Sequence, residues 1–170
     1  DGPTRVLFVG EIGVRKGAHY LIEAARTLGK EFEFRLCGGI ILPESFLKGI
    51  PRNVQIVGPV PRAEIASQYA WADVFCLPSL LEGSASVTYE AMSVGLPIVT
   101  TPNSGSLVRE GLDGYLVPAR DSQSLAVALS KIRAGQLPRE SPPPSDRPDG
   151  PPSYSLDAYR ERLVRVTSGE

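Results

Sequence analysis

Val74-Phe75-Cys76-Leu77-Pro78-Ser79 reads as a short strand with no polar position, stopped by a proline. A strand without polar alternation is buried on both faces, the situation of a parallel sheet covered by helices on two sides. Further short strands flank it along the chain. Arg5–Val9 ends at Gly10, Phe32–Cys37 at Gly38-Gly39, and Val54–Val57 at Gly58-Pro59. Pro97–Thr100 starts on a proline, which the first residue of a strand tolerates, and Tyr115–Val117 is the last strand. Helix-period segments lie between the strands. Lys16-Gly17 leads into a helix through Leu28, with Leu21, Ile22, Ala24, Ala25 and Leu28 on one side. Pro43–Lys48 is one helical turn or two. Pro61 with Glu64 suits a helix start ahead of the stripe Ile65, Tyr69 and Ala70. Ser86–Val94 is stopped by Gly95, and Asp121–Ile132 is capped by Asp121 or Ser122. With right-handed crossovers this alternation predicts one three-layer, doubly wound α/β domain with a mostly parallel sheet.

In such sheets ligands bind beyond the carboxyl ends of the strands. Gly10, Gly38, Gly58 and Pro78-Ser79 all follow strand ends, so they share one rim. Residues 138 to 152 differ in composition: prolines at 138, 142, 143, 144, 148, 151 and 152 stand among serines and charges. They are expected to form a flexible excursion within a domain that spans residues 1 to 170. Ser155–Val166 then reads as a helix with Leu156, Tyr159, Leu163 and Val166 on one face. No internal repeat is present.

The 170 residues suffice for one ordinary domain with its own core. An apolar content of 42% and a charged content of 22% are globular values, and a net charge of -1 gives no field favouring nucleic acid or an anionic membrane. Cys37 and Cys76 lie in apolar strands and read as buried thiols; without a CxxC pair, neither redox nor zinc chemistry is indicated. One histidine and scattered acids make no metal cluster. No apolar run approaches the roughly 18 residues of a membrane span, and no signal segment opens the chain, so a cytoplasmic protein is expected.

Two stretches carry candidate chemistry. The first is Gly10-Glu11-Ile12-Gly13-Val14-Arg15-Lys16-Gly17, a glycine-rich turn after the first strand. It lacks the spacing of a dinucleotide fingerprint and of a Walker A loop. Arg15 and Lys16 suit a diphosphate, by fork and by point charge; a solvated basic turn is the alternative. His19, on the helix beyond, is expected to be a surface or half-buried residue. The second stretch is Glu82-Gly83-Ser84-Ala85-Ser86-Val87-Thr88-Tyr89-Glu90. Its small front half lets backbone approach a ligand, and its back half begins a helix whose N–H groups suit an anion. Glu82 belongs to the loop and Glu90 to the helix. Nothing in the sequence fixes the separation of about 5–9 Å that a glycosidase acid/base pair needs. Ser79, Ser84 and Ser86 have no nucleophile elbow around them. Thr100-Thr101-Pro102-Asn103-Ser104-Gly105 is either a polar loop on the same rim or a turn before a short helix through Val108-Arg109-Glu110. Asp113-Gly114 reads as a turn pair.

Taken in order, these pieces resemble the donor-binding half of a GT-B glycosyltransferase. The resemblance is to the retaining family of the glycosyl transferases group 1 (glycosyltransferase family 4), which includes sucrose synthases and many bacterial mannosyl- and glucosyltransferases. It is carried by Phe8-Val9-Gly10, Lys16-Gly17, Cys37-Gly38-Gly39, Val54-Gln55-Ile56-Val57-Gly58 and Ala72-Asp73-Val74-Phe75-Cys76-Leu77-Pro78-Ser79. Glu82-Gly83-Ser84-Ala85, Glu90-Ala91-Met92-Ser93-Val94-Gly95-Leu96-Pro97-Ile98-Val99 and Glu110-Gly111-Leu112-Asp113-Gly114-Tyr115-Leu116-Val117 complete it, over about residues 4 to 133.

The resemblance implies the C-terminal, Rossmann-like half of a GT-B fold, moving a hexose from a nucleoside diphosphate sugar such as a UDP- or GDP-sugar. Lys16 and Arg15 would lie on the donor diphosphate, with Gly10 and Gly13 in the turn beneath it. Glu90 would hold the ribose hydroxyls. Glu82, Gly83 and the backbone N–H groups of Ser84, Ala85 and Ser86 would face the transferred sugar and the phosphates, with Ser104, Gly105 and Glu110 nearby. No metal or other cofactor is implied. A GT-B enzyme has two such domains, and the amino-terminal one supplies the site for a carbohydrate, lipid or other acceptor, usually a histidine near the sugar, and any peripheral membrane contact. This chain departs from the family pattern at three places. Glu11 replaces an arginine, and it either opposes the cations or orients Arg15 through an ion pair. Ser84-Ala85 replaces Phe-Gly, and Ser104 replaces a glycine. The alternatives are a degenerate, non-catalytic nucleotide or carbohydrate module, or a GT-B epimerase or phosphorylase relative.

Overall fold

The computed structural model describes residues 2–83 and 85–136; the expected excursion at 138 to 152 and helix at 155 to 166 lie outside them. Six strands form one wholly parallel sheet. They are β1 Thr4–Val9, β2 Phe32–Cys37, β3 Val54–Gly58, β4 Val74–Leu77, β5 Ile98–Thr100 and β6 Gly114–Leu116. Their order is β3-β2-β1-β4-β5-β6. The helices are α1 Ala18–Leu28, α2 Glu44–Leu47, α3 Ile65–Trp71, α4 Ser86–Ser93 and α5 Ser122–Arg133. Helix α1 packs with α5, while Tyr69 of α3 bonds to Val87 and Glu90 of α4. This is the doubly wound, three-layer arrangement expected from the alternation. No helix among the described residues is long and apolar enough to cross a membrane.

The apolar run that predicts a doubly covered sheet is buried at all four positions of β4. Around it Val6, Leu7, Phe8, Phe34, Leu36, Ile98 and Val99 are inaccessible to solvent. Cys37 and Cys76 are free, buried thiols, and burial raises the pKa of both, so neither is a ready nucleophile. Asp121, rather than Ser122, caps α5: its carboxylate accepts from the Ser124 N–H at 2.9 Å.

Four local expectations are corrected. Helix α3 begins at Ile65, and Pro61 opens the preceding turn by accepting from the Glu64 N–H at 2.9 Å. Ala70 is exposed, because it lies about 140° around the helix from Ile65 whereas Tyr69 lies about 40° away. Residues 105 to 109 form no helix; a single 3-10 turn, Pro102–Ser104, precedes them, and the Arg109 N–H donates to the Asp113 carboxylate at 3.0 Å. Gly114 is the first residue of β6 rather than half of a turn. A Cβ there would lie 1.7 Å from the Ile98 carbonyl oxygen, so close strand approach requires glycine.

Candidate functional site

The strand order reverses direction between β1 and β4, the switch point beside which ligands bind in such sheets, and the candidate residues stand on the loops leaving these two strands. The loops are stitched together at their base. The Leu80 N–H donates to the Arg15 carbonyl at 2.8 Å. Gly17 sits at φ +70°, where a Cβ would lie 2.0 Å from the Pro78 carbonyl oxygen. Both the conformation and the contact exclude a side chain, so Gly17→Ala should lower stability by ~1–3 kcal/mol or more, read as a fall in the denaturant midpoint. An unchanged midpoint would mean that the two loops do not pack this closely.

The chemistry converges on one carboxylate oxygen. Lys16 Nζ and Arg15 Nη1 each lie 2.9 Å from Glu82 Oε1, and Ser79 Oγ is 3.4 Å from the same atom. The Lys16 and Glu82 side chains are 13% and 10% exposed, whereas Arg15 is 50% exposed. Lys16–Glu82 is therefore the weakly hydrated pair and Arg15 the outer cation. Gly10 lets the lysine fold back: a Cβ at Gly10 would lie 3.0 Å from Lys16 Cδ. Gly13 is buried under Ile41, whose Cδ1 would be 2.5 Å from a Cβ there; it supports the turn from beneath. Glu11 does not pair with Arg15, whose partner is Glu82. The Glu11 carboxylate instead lies beside Gly13, with Oε1 3.6 Å from the position of a Cβ.

The start of α4 lies next in the chain. Gly83 is exposed, and Ser84 lies outside the described residues. The Ala85 N–H was expected to face the ligand, but it donates to the Ser104 carbonyl at 3.1 Å. The Thr88 N–H and hydroxyl in turn both donate to the Ala85 carbonyl. Among the described residues the N–H groups of Ser86 and Val87 have no acceptor, and the first N–H groups of a helix suit an anion. Ser104 is buried and its hydroxyl donates to the Thr101 carbonyl at 2.8 Å; it braces the loop. Gly105 is exposed at φ +64°. Glu110 accepts from the Leu116 N–H and so is engaged at β6.

Glu90 lies one turn further along α4. It is half-buried, and its Oε2 accepts from the Tyr69 hydroxyl at 2.9 Å. Among the described residues its other oxygen makes no hydrogen bond. Three contributors were missed in the sequence. Tyr69 was read only as part of an apolar stripe. Asn103 holds the loop twice, its carbonyl accepting from the Glu82 N–H at 3.0 Å and its amide donating to Leu80 at 2.8 Å. Ser79 was placed on the rim and rejected as a nucleophile, but its contact with Glu82 was not foreseen. A phenol inside a stripe was the one available signal, since a buried tyrosine hydroxyl needs an acceptor.

The arrangement combines two cations, the amides of a helix start and a carboxylate for hydroxyl groups. These suit a ligand that is part anion and part sugar. His19 Nδ1 is buried without a partner, and no serine among the described residues bonds to this histidine. No three His, Cys, Asp or Glu residues among the described ones gather as metal ligands. A concavity of about 620 Å³ opens elsewhere, where Thr4, Asp73, Pro97 and Arg133 mark the starts of strands and the end of α5. Its charges are already engaged, Asp73 by Arg5, Asp113 by Arg109, and Arg133 by Thr4.

Fold and site together define a Rossmann-like half of a GT-B protein. Residues 3–134 match the family model of the glycosyl transferases group 1, and the chain belongs to that family. It is 34% identical over 150 residues to the amylovoran biosynthesis glycosyltransferase AmsK of Erwinia amylovora, covering 79% of this chain and 37% of that protein. It is also 34% identical over 142 residues to a D-inositol 3-phosphate glycosyltransferase of Corynebacterium urealyticum, covering 74% and 34%. The chain thus spans about a third of the length of these curated relatives. Among solved structures, sucrose-phosphate synthase from Thermosynechococcus elongatus aligns with a TM-score of 0.71 at 29% identity, over 80% of this chain and 37% of that one. Anabaena Alr3699/HepE, crystallised with UDP and glucose, shares the fold with a TM-score of 0.75 at 22% identity, over 99% and 49%.

Proposed function

We propose that this chain is the carboxyl-terminal, nucleotide-sugar-binding half of a retaining glycosyltransferase, and that the longer protein moves a hexose from a nucleoside diphosphate sugar to an acceptor held by another domain. The observation that carries this reading is the convergence of Lys16 and Arg15 on Glu82 at the switch point between β1 and β4. The N-terminal amides of α4 and the Glu90 carboxylate support it. Without a ligand, Glu82 stands in for the diphosphate as counter-ion to both cations. A donor diphosphate takes over the cations and the Ser86 and Val87 amides, and Glu82 is released to accept from hydroxyls of the sugar. In the transition state, negative charge grows on the departing nucleoside diphosphate. Lys16, Arg15 and the helix start are then placed where that charge develops, and fixed donors there lower the barrier most. Retention is carried over from the resemblance of the two-glutamate segment and the motif that follows Glu90.

The test is a panel of UDP-, GDP- and ADP-sugars offered to the full-length protein, with products identified by mass spectrometry and their anomeric configuration by NMR. Transfer with retained configuration from at least one donor is expected. Inverted products overturn the retaining assignment, and no transfer from any donor overturns the catalytic reading. The 170-residue chain alone should bind the nucleotide yet transfer nothing, because it lacks a positioned acceptor; turnover by this chain alone would contradict the division of labour between domains.

A further inference from the structure

We infer that Tyr69 is a positioning residue for ribose recognition: its hydroxyl holds one oxygen of Glu90 and so fixes the carboxylate with the other oxygen free to accept from the ribose. The inference rests on the proposed role of Glu90. Tyr69 is 4% exposed, and its ring packs 6.0 Å from that of Phe75 on β4. It therefore reaches α4 from a fixed base, since a packed ring leaves the phenol little freedom. Its hydroxyl lies 2.9 Å from Glu90 Oε2 and 3.4 Å from the Val87 carbonyl. Burial, with the Glu90 charge beside it, raises the Tyr69 pKa far above the usual phenol range. The group thus stays protonated and acts toward Glu90 only as a donor. A carboxylate offers about four acceptor sites on two oxygens, so one bond to Tyr69 orients it without exhausting it. A glutamate side chain free to rotate would have to be ordered when the nucleotide binds; Tyr69 orders it beforehand.

Tyr69→Phe tests this, because it keeps the ring and its packing and removes only the donor. The ligands are whichever of UDP, GDP and ADP the wild-type chain binds most tightly, and its 2′,3′-dideoxy counterpart, titrated by calorimetry. The wild type should prefer the ribonucleotide. Tyr69→Phe should weaken the ribonucleotide about five- to tenfold and leave the dideoxynucleotide unchanged. A second variant reads orientation directly. In Glu90→Gln the Tyr69 hydroxyl pins the amide oxygen and turns the NH₂ toward the ribose. Adding Tyr69→Phe frees the amide to turn its oxygen there instead, so the double variant should bind the ribonucleotide at least as well as Glu90→Gln alone. Equal losses for both ligands, no loss for either, a further loss in the double variant, or a Tyr69→Phe protein without a cooperative thermal transition would each overturn the inference while leaving the role of Glu90 standing. If the wild type binds none of these diphosphates, or does not prefer the ribonucleotide, the role of Glu90 fails and this inference fails with it.

Discussion

Lys16→Ala should weaken binding of a nucleoside diphosphate about ten- to a hundredfold while leaving the affinity for the matching nucleoside unchanged. A hydrogen bond between charged partners is worth about 1.5–3 kcal/mol, and 1.4 kcal/mol is tenfold. The effect should sit at the upper end, because Lys16 is only 13% exposed and because its loss leaves Glu82 less compensated beside the incoming phosphates. Arg15→Ala should act in the same direction but less strongly, since a half-exposed guanidinium is better screened by water. Competition titrations of uridine, guanosine and adenosine against their diphosphates measure both. If neither variant shows a phosphate-dependent loss, the Gly10–Gly17 turn is only a solvated basic loop.

The two glutamates should respond with opposite sign. Glu82→Gln removes the internal counter-ion that Lys16 and Arg15 share. Free diphosphate then no longer competes with a carboxylate for the cations, and its affinity should rise on the order of tenfold. Affinity for the nucleotide sugar should rise less, because the group expected to meet the sugar has been weakened. Glu90→Gln should instead lower affinity about tenfold for any ligand with an intact ribose, by replacing a charged acceptor with a neutral one. Calorimetry on both folded variants decides between these signs. Equal losses in the two would refute the separation of roles.

Much of the fold was legible because burial leaves a direct mark on composition. Val74–Leu77 reads as a strand covered on both faces, and Gly10, Gly38 and Gly58 at the carboxyl ends of β1, β2 and β3 marked one rim in advance. Misjudged boundaries arose where tertiary contacts outweigh local pattern. Val108 packs into the core from a segment without helix, and Gly114 is needed because Ile98 comes so close. Ala70 failed for a simpler reason, since adjacent helix residues point about 100° apart.

The site was legible in its parts but not in its connections. Arg15, Lys16, Glu82 and Glu90 were each visible as candidates. Their meeting at one oxygen depends on β1 lying beside β4, which follows from strand order and not from any local motif. The same holds for the Ala85 amide, occupied by a carbonyl nineteen residues away, and for the Tyr69–Glu90 bond between two helices. Glu11 was read as opposing the cations or as a partner of Arg15; its carboxylate lies beside Gly13, and Arg15 pairs with Glu82 instead.

The most direct test of the central claim is calorimetric titration of UDP, GDP and ADP into the 170-residue chain in the presence of EDTA. The account predicts that at least one binds with a Kd of about 1 mM or tighter, because Lys16, Arg15 and the α4 amides supply the positive charge for the phosphates. Failure of all three to bind, or binding that appears only when a divalent metal is added, would contradict it.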